Sequence, residues 1–367
     1  MRALLRDNDR ITPFELAVLM VIVTLEMGVT TFPRTMTEKV GTESWLIPLP
    51  GFLFSLLAVY FLVRLSKLFP GKTFVEYSQE ILGSIIGKLF VIIVIAFWVS
   101  TSARILRQFA DVMKVNLLFR TPIEVIIFSM LLFAAYPARY GIEPMARLAI
   151  IVAFVTIPVG LFLFAFVIPQ AKFDNLLPVF AQGPLLLLKA GFLSVGSLEG
   201  IELLLVLLPF ITQPRKSLKA STWALAVLWS IIFIVNGVVL AVFGEKEVMY
   251  LLRPGLTIIQ TIELPTLFVE RLSSVYVATW VALIFPSISM FLFLASTSLA
   301  KLFGLKEQKI LIYPLTPVIF ALAILPSNVL EVENIANFLE QIGVFIIGIM
   351  PLFLFLIAKI RKKGGSY

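Results

Sequence analysis

Cysteine and histidine are both missing from this chain of 367 residues. Disulfides are therefore impossible, zinc sites of the usual His/Cys kind are excluded, and so is a histidine proton relay. Ser-His and Cys-His nucleophilic machinery is excluded as well. Proton chemistry is left to Asp, Glu, Lys, Arg and Tyr, and no catalytic constellation of these stands out, so an enzyme is not expected. Charge is scarce too, at 14% of residues against 60% hydrophobic, with a mean hydropathy of +1.02. A soluble domain of that balance could not cover its apolar atoms with polar surface. Long polar linkers are also absent, and apolar runs of spanning length recur from end to end.

A membrane helix needs about 20 apolar residues, and ten candidate spans can be drawn. Span 1 covers about 13–40 and is interrupted; span 2 covers about 44–68; spans 3, 4 and 5 cover about 86–117, 121–138 and 144–168. A Pro-containing connection, KFDNLLPVFAQGP, precedes span 6 (about 185–211, again interrupted) and span 7 (about 217–243). A short amphipathic stretch, LTIIQTIEL, lies in the next connection, before spans 8, 9 and 10 at about 270–302, 310–326 and 334–359. The net charge of +8 does not point to nucleic acid. Lys and Arg gather in the tails and in the loops after spans 2, 4, 6 and 8, among them Arg2, Arg6, Arg64, Lys72, Arg215, Lys301 and Arg361. The connection SNVLEVENIANFLEQ on the other side carries Glu and no basic residue. The positive-inside rule then places both tails, 1–10 and 360–367, in the cytoplasm. The N-terminal segment lacks a small-residue cleavage site and reads as a tail, not a signal peptide.

Spans 1 and 6 are broken in the same manner. Span 1 carries Glu26, Gly28, Thr30, Thr31 and Pro33; span 6 carries Ser194, Gly196, Ser197, Glu199 and Gly200. Each break opens a set of five spans. Five is odd, so the second set (about 185–359) enters from the opposite side to the first (about 13–168), giving an inverted repeat in a single transmembrane domain. Unwinding a helix in lipid strands backbone groups at a cost of several kcal/mol each unless protein or ligand satisfies them. A half-helix N-terminus suits a carboxylate, and a half-helix C-terminus offers carbonyls to an ammonium group. Two such breaks at mid-depth make a site for a small zwitterion.

These residues carry a resemblance. Glu26 to Pro33, EMGVTTFP, is similar to the first-helix signature of amino acid/polyamine/organocation transporters, with Glu26 replacing the usual first glycine. Phe192 to Glu199, FLSVGSLE, is similar to their sixth-helix signature. Within that superfamily the ten spans, the opening ITPFELAVL and the VTTFPR turn resemble the B subunit of spore germinant receptors, the germination permease family. The resemblance implies an all-α, LeuT-like fold of five plus five helices with spans 1 and 6 unwound at mid-membrane. It also implies nutrient sensing in the inner membrane of a bacterial spore, beside an A-type membrane subunit and a C-type lipoprotein subunit.

Glu26, Glu199 and Glu202 fall inside apolar spans, where ionisable groups face a cavity or a partner. Glu199 fits two roles: ligand contact, or first-turn acid of a new half-helix with Ser197 as its N-cap. Glu199 and Glu202, three apart, would share one face. Span 3 carries a stripe of Ser100, Arg104, Arg107, Asp111 and Lys114 on one face, which would line a vestibule or form interhelical salt bridges. The expected ligand contacts are Glu26, Gly28, Val29, Thr30 and Thr31 of span 1, Ser100 and Arg104 of span 3, Ser194, Gly196, Ser197 and Glu199 of span 6, and Ser287 of span 8. No cofactor and no metal is expected. The ligand reads as a small nutrient, an amino acid first, with a sugar or nucleoside able to occupy the same cleft. A free-standing amino-acid permease and a scaffold subunit with a vestigial pocket are the competing readings.

Overall fold

The computed structural model describes residues 9–262 and 266–365; side chains of residue 27 and of 266–271 are not described. Arg2, Arg6 and the last two residues of the amphipathic stretch, Glu263 and Leu264, lie outside the described residues.

The described residues are mostly helical. Span 1 is α1 (Pro13–Thr30) and α2 (Phe32–Val40), and span 2 is α3 (Pro48–Leu68). The short α4 (Phe74–Leu82) follows, then α5 (Ser84–Asn116), α6 (Ile123–Tyr140) and α7 (Ile142–Ala165). Span 6 is α8 (Pro184–Ser194), a break, a 3-10 turn at Ile201–Leu203 and α9 (Leu204–Leu207). Span 7 is α10 (Ser217–Tyr250), bent at Gly244, whose φ of 73° a residue with a side chain rarely adopts. The stub α11 (Pro254–Thr257), α12 (Thr266–Leu302) and α13 (Lys309–Ile324) follow. Span 10 is α14 (Val329–Gly343), a π-helical stretch at Val344–Ile349 and α15 (Met350–Ile360).

Seven helices among the described residues are long and apolar enough to cross a membrane. The other three expected spans are the two interrupted ones and α13, which has 16 residues. The burial pattern is that of a protein in lipid. Ile85, Phe133 and Phe154 point outward, while Ser102, Ser296, Ser298 and Asn236 are buried between helices. Small and polar side chains inside such a bundle let helices approach and bond across. At about 1.5 Å per residue, α5 is about 50 Å long, more than the roughly 30 Å of hydrocarbon, so it must tilt or run on into the headgroup layer.

Helix α1 sits centrally, packed on α7, α10 and α12, while α5 packs on α12, α13 and α14. Connectors fix the ends. Thr73 and Glu76 form a capping box that starts α4. Glu76 then pairs with Lys301 of α12 at 2.5 Å, and Arg361 after α15 donates to Ile81 O at 2.8 Å. Asp9 accepts from the first amides of α7, Ile142 N and Glu143 N, at 2.9 and 3.1 Å. Ile11 exchanges backbone hydrogen bonds with Phe210 and Thr212 beyond span 6.

Candidate functional site

The two breaks differ in extent. In span 1 the helix continues through Glu26, Gly28 and Thr30 and bends only at Thr31 (φ −109°, ψ −22°). Thr30 Oγ1 bonds back to Glu26 O at 3.1 Å, and Pro33 sits in the first turn of α2. In span 6 the α-helix stops at Ser194 and does not resume until Leu204. The intervening chain makes tight three-residue hydrogen bonds, such as Gly196 N to Leu193 O at 3.0 Å and Ser197 N to Ser194 O at 3.2 Å.

Two glycines require this course. Gly200 has φ 128°, and a Cβ there would run into Thr24 Oγ1 of α1. Gly196 lies against α14 so closely that a Cβ would overlap Glu340 O and the Val344 amide. The break thus packs on α14 and on the start of the π-helical stretch, a feature often found at functional sites.

Ser197 is not an N-cap. The new turn begins at Ile201 with Gly200 at the cap, and Glu202 Oε2 accepts from Gly200 N at 2.7 Å. Ser197 Oγ is buried with no hydrogen-bond partner among the described residues. Because residues 195–200 are not helical, Glu199 and Glu202 do not share a face. Glu199 instead forms a buried ion pair with Arg104 of α5, which also donates to Gln108 Oε1 at 2.7 Å.

This pair borders a small cavity lined by Thr31, Phe32, Arg104, Gly196, Ser197, Glu199, Ala336, Asn337 and Glu340. Five expected residues therefore meet: Thr31, Arg104, Gly196, Ser197 and Glu199. Glu26 is not among the residues that line the cavity; it is 1% exposed, and neither carboxylate oxygen has a hydrogen-bond partner among the described residues. The charges of Arg104, Glu199 and Arg253 act on it. Burial lowers the pKa of the Arg253 guanidinium, and the charges of Glu333, Asp111 and Glu26 offset that fall only in part.

The other expected residues point elsewhere. Gly28 faces Ile232 of α10, whose Cδ1 would lie 2.9 Å from an added Cβ. Val29 lines a separate apolar crevice. Ser194 Oγ donates to Gly191 O at 2.7 Å. Ser287 Oγ lies 3.0 Å from Leu283 O and 3.4 Å from Val23 O, joining α12 to α1 away from the cavity. Ser100 is half-buried one turn before Arg104. The stripe on α5 divides: Arg107 pairs with Asp111 at 3.2 Å and donates to Ala323 O and Pro326 O at the end of α13, and Lys114 is exposed. No group of acidic residues placed to hold a metal occurs among the described residues.

The fourth wall of the cavity is α14, the first part of span 10, where the sequence reading puts Ser287 of span 8; that reading begins span 10 at about 334 and takes the residues before it as a connection. A signal was there. Asn328 caps the helix by accepting from Glu331 N at 3.0 Å, the Asn-x-x-Glu spacing of a helix start. Glu340, in the cavity wall, pairs with Lys39 of α2. Gly255 of α11 abuts the Val29 carbonyl near the end of α1. The cavity is about 30 Å³, room for about one or two waters.

Comparison with known proteins fits this architecture. A family model described as spore germination protein, the spore permease family, matches residues 10–332. Spore germination protein YndE of Bacillus subtilis is 27% identical over 358 residues, covering 97% of this chain and 98% of its own. Spore germination protein B2 of the same organism is 25% identical, covering 98% and 99%. Among solved structures, the nucleobase-cation-symport-1 family transporter Mhp1, in a closed conformation with bromovinylhydantoin bound, aligns with a TM-score of 0.72 at 13% identity, covering 98% of this chain and 80% of that one. MhsT in complex with L-phenylalanine aligns at 0.62 and 12% identity, covering 95% and 97%. The fold is LeuT-like, and the chain belongs to the spore permease family of spore germination proteins.

Proposed function

We propose that this chain is the nutrient-binding membrane subunit of a germinant receptor, and that the junction of the two helix breaks receives an amino acid. The observation that carries this reading is Glu26. Its carboxylate oxygens are buried and unpartnered among the described residues, beside Arg104 and Glu199. Glu26 and Glu202 each feel the charge of Glu199, and Arg104 and Arg253 are the cations that act on Glu26. An excess of buried carboxylate is costly until a cation neutralises it. A ligand ammonium group answers that need, and the Arg104 guanidinium suits a ligand carboxylate.

The present cavity is too small for an amino acid, so binding requires α2 and α14 to part at the Lys39–Glu340 pair. A ligand that favours the parted state shifts the balance of conformations, which is the signal. On this reading the two five-span sets, about 13–168 and 185–359, are the repeats. Both tails face the cytoplasm, the membrane is the inner membrane of a spore, and the signal passes to A-type and C-type subunits.

Equilibrium dialysis of the purified chain against labelled amino acids tests the site. Saturable binding of at least one is expected; no saturable binding of any would sink the proposal. Vesicle uptake separates sensing from transport, because a sensor binds the amino acid without accumulating it inside, whereas steady accumulation would establish a permease.

A further inference from the structure

A second pocket lies apart from that cavity. It is a narrow crevice of about 40 Å³ bounded by α1, α7, α10 and α12. Leu25 and Val29 of α1, Gly160 and Leu161 of α7, and Tyr276 and Trp280 of α12 are among its walls. The lining is apolar except for a few groups, and two of these are unusual. Tyr276 is 5% exposed and Trp280 3%, yet the Tyr276 hydroxyl and the Trp280 indole N–H have no hydrogen-bond partner among the described residues. Buried donors without acceptors are costly, and such groups in native proteins call for an occupant.

We infer that this crevice holds the end of a membrane phospholipid's acyl chain next to its ester, with Tyr276 and Trp280 donating to ester oxygens. Three observations agree on that ligand. The volume is far below the ~150 Å³ that admits a benzene ring, so a ring is excluded and only water or a thin stretch of a single chain fits. Leu161, on the α7 side, is 40% exposed on an apolar flank that includes Phe154 and Phe162, so the crevice meets lipid rather than water.

Depth is the third. The spanning part of α12, Leu272–Leu302, is centred on Ser287. At about 1.5 Å per residue, Trp280 lies about 10 Å and Tyr276 about 16 Å from that centre, against a hydrocarbon half-thickness of about 15 Å. The two donors therefore reach from just inside the chain region to the ester layer. Leu25 and Val29 neighbour Glu26 and Thr30 in sequence, so the lipid packs directly on the helix that carries the first break.

Gly160 supplies the test, because a Cβ added there meets nothing within 4 Å. Gly160→Leu has open space for its Cβ and puts the rest of the side chain into the crevice. The full chain is placed in vesicles of phosphatidylcholine with dibrominated acyl chains, and Trp280 emission is obtained by subtracting the spectrum of Trp280→Phe. Strong quenching in the unmodified chain, lost in Gly160→Leu, is expected. Equal quenching in both, or quenching by aqueous acrylamide in place of the brominated lipid, overturns the inference. A second measurement does not depend on Gly160→Leu folding. Native mass spectrometry of the detergent-purified chain should show one retained phospholipid, absent from the Tyr276→Phe/Trp280→Phe double variant. An unchanged lipid count in that variant also overturns it.

Discussion

Arg104 of α5 and Glu199 of the span 6 break form a buried ion pair, and a pair of this kind responds asymmetrically to change. Removing one partner leaves a bare charge and should cost about 3–5 kcal/mol, whereas replacing both by apolar groups can be neutral. Thermal unfolding in detergent should therefore show Arg104→Met and Glu199→Leu each strongly destabilised, with the double variant recovering most of the loss. Additive losses would mean the pair is not the unit described. Glu26 predicts the opposite sign. Its carboxylate has no hydrogen-bond partner among the described residues, so Glu26→Gln should raise the melting temperature of the ligand-free chain. A lower melting temperature would imply that the carboxylate has a structural partner.

At the scale of elements, the two glycines of the break signatures are predicted to behave differently. Gly28→Ala meets the tip of the flexible Ile232 side chain, which can swing aside, whereas Gly196→Ala meets the backbone of α14. Folded yield on size-exclusion chromatography should stay near normal for Gly28→Ala and collapse for Gly196→Ala; equal yields would contradict the packing of span 6 on α14.

The same elements show what was legible in the sequence. The span 6 break was, because Ser194, Gly196, Ser197, Glu199 and Gly200 concentrate polarity and glycine in a run that is otherwise Leu-rich. The span 1 break was read as wider than it is, since Thr30 bonds back to the Glu26 carbonyl and keeps the helix intact up to the bend. Span 10 was drawn only from about 334, and the first turn of α14 was hidden because Glu331 and Glu333 look like loop residues in a hydropathy reading. Its cap and its contact with Gly196 depend on spacing and on tertiary structure. The short α4 was missed in the same way, although its Thr73-x-x-Glu76 box is written in the sequence.

At the scale of the whole molecule, a few polar contacts tie elements together around the cavity. Lys39 of α2 pairs with Glu340, a cavity residue of α14, while Ile11 bonds to the end of span 6 and Asp9 to the start of α7. Closure by an ion pair can be released. The chain has no cysteine, so Thr31→Cys gives a single label site in the cavity wall. Lys39→Gln should speed maleimide modification of that cysteine, and an unchanged rate would show that the pair is not the latch.

The central claim is that the junction of the two breaks binds an amino acid through Glu26. The most direct measurement is the thermal shift of the purified chain across a panel of amino acids, run in parallel on Glu26→Gln. The account predicts that at least one amino acid stabilises the unmodified chain and has no effect on Glu26→Gln. An equal shift in both would contradict it.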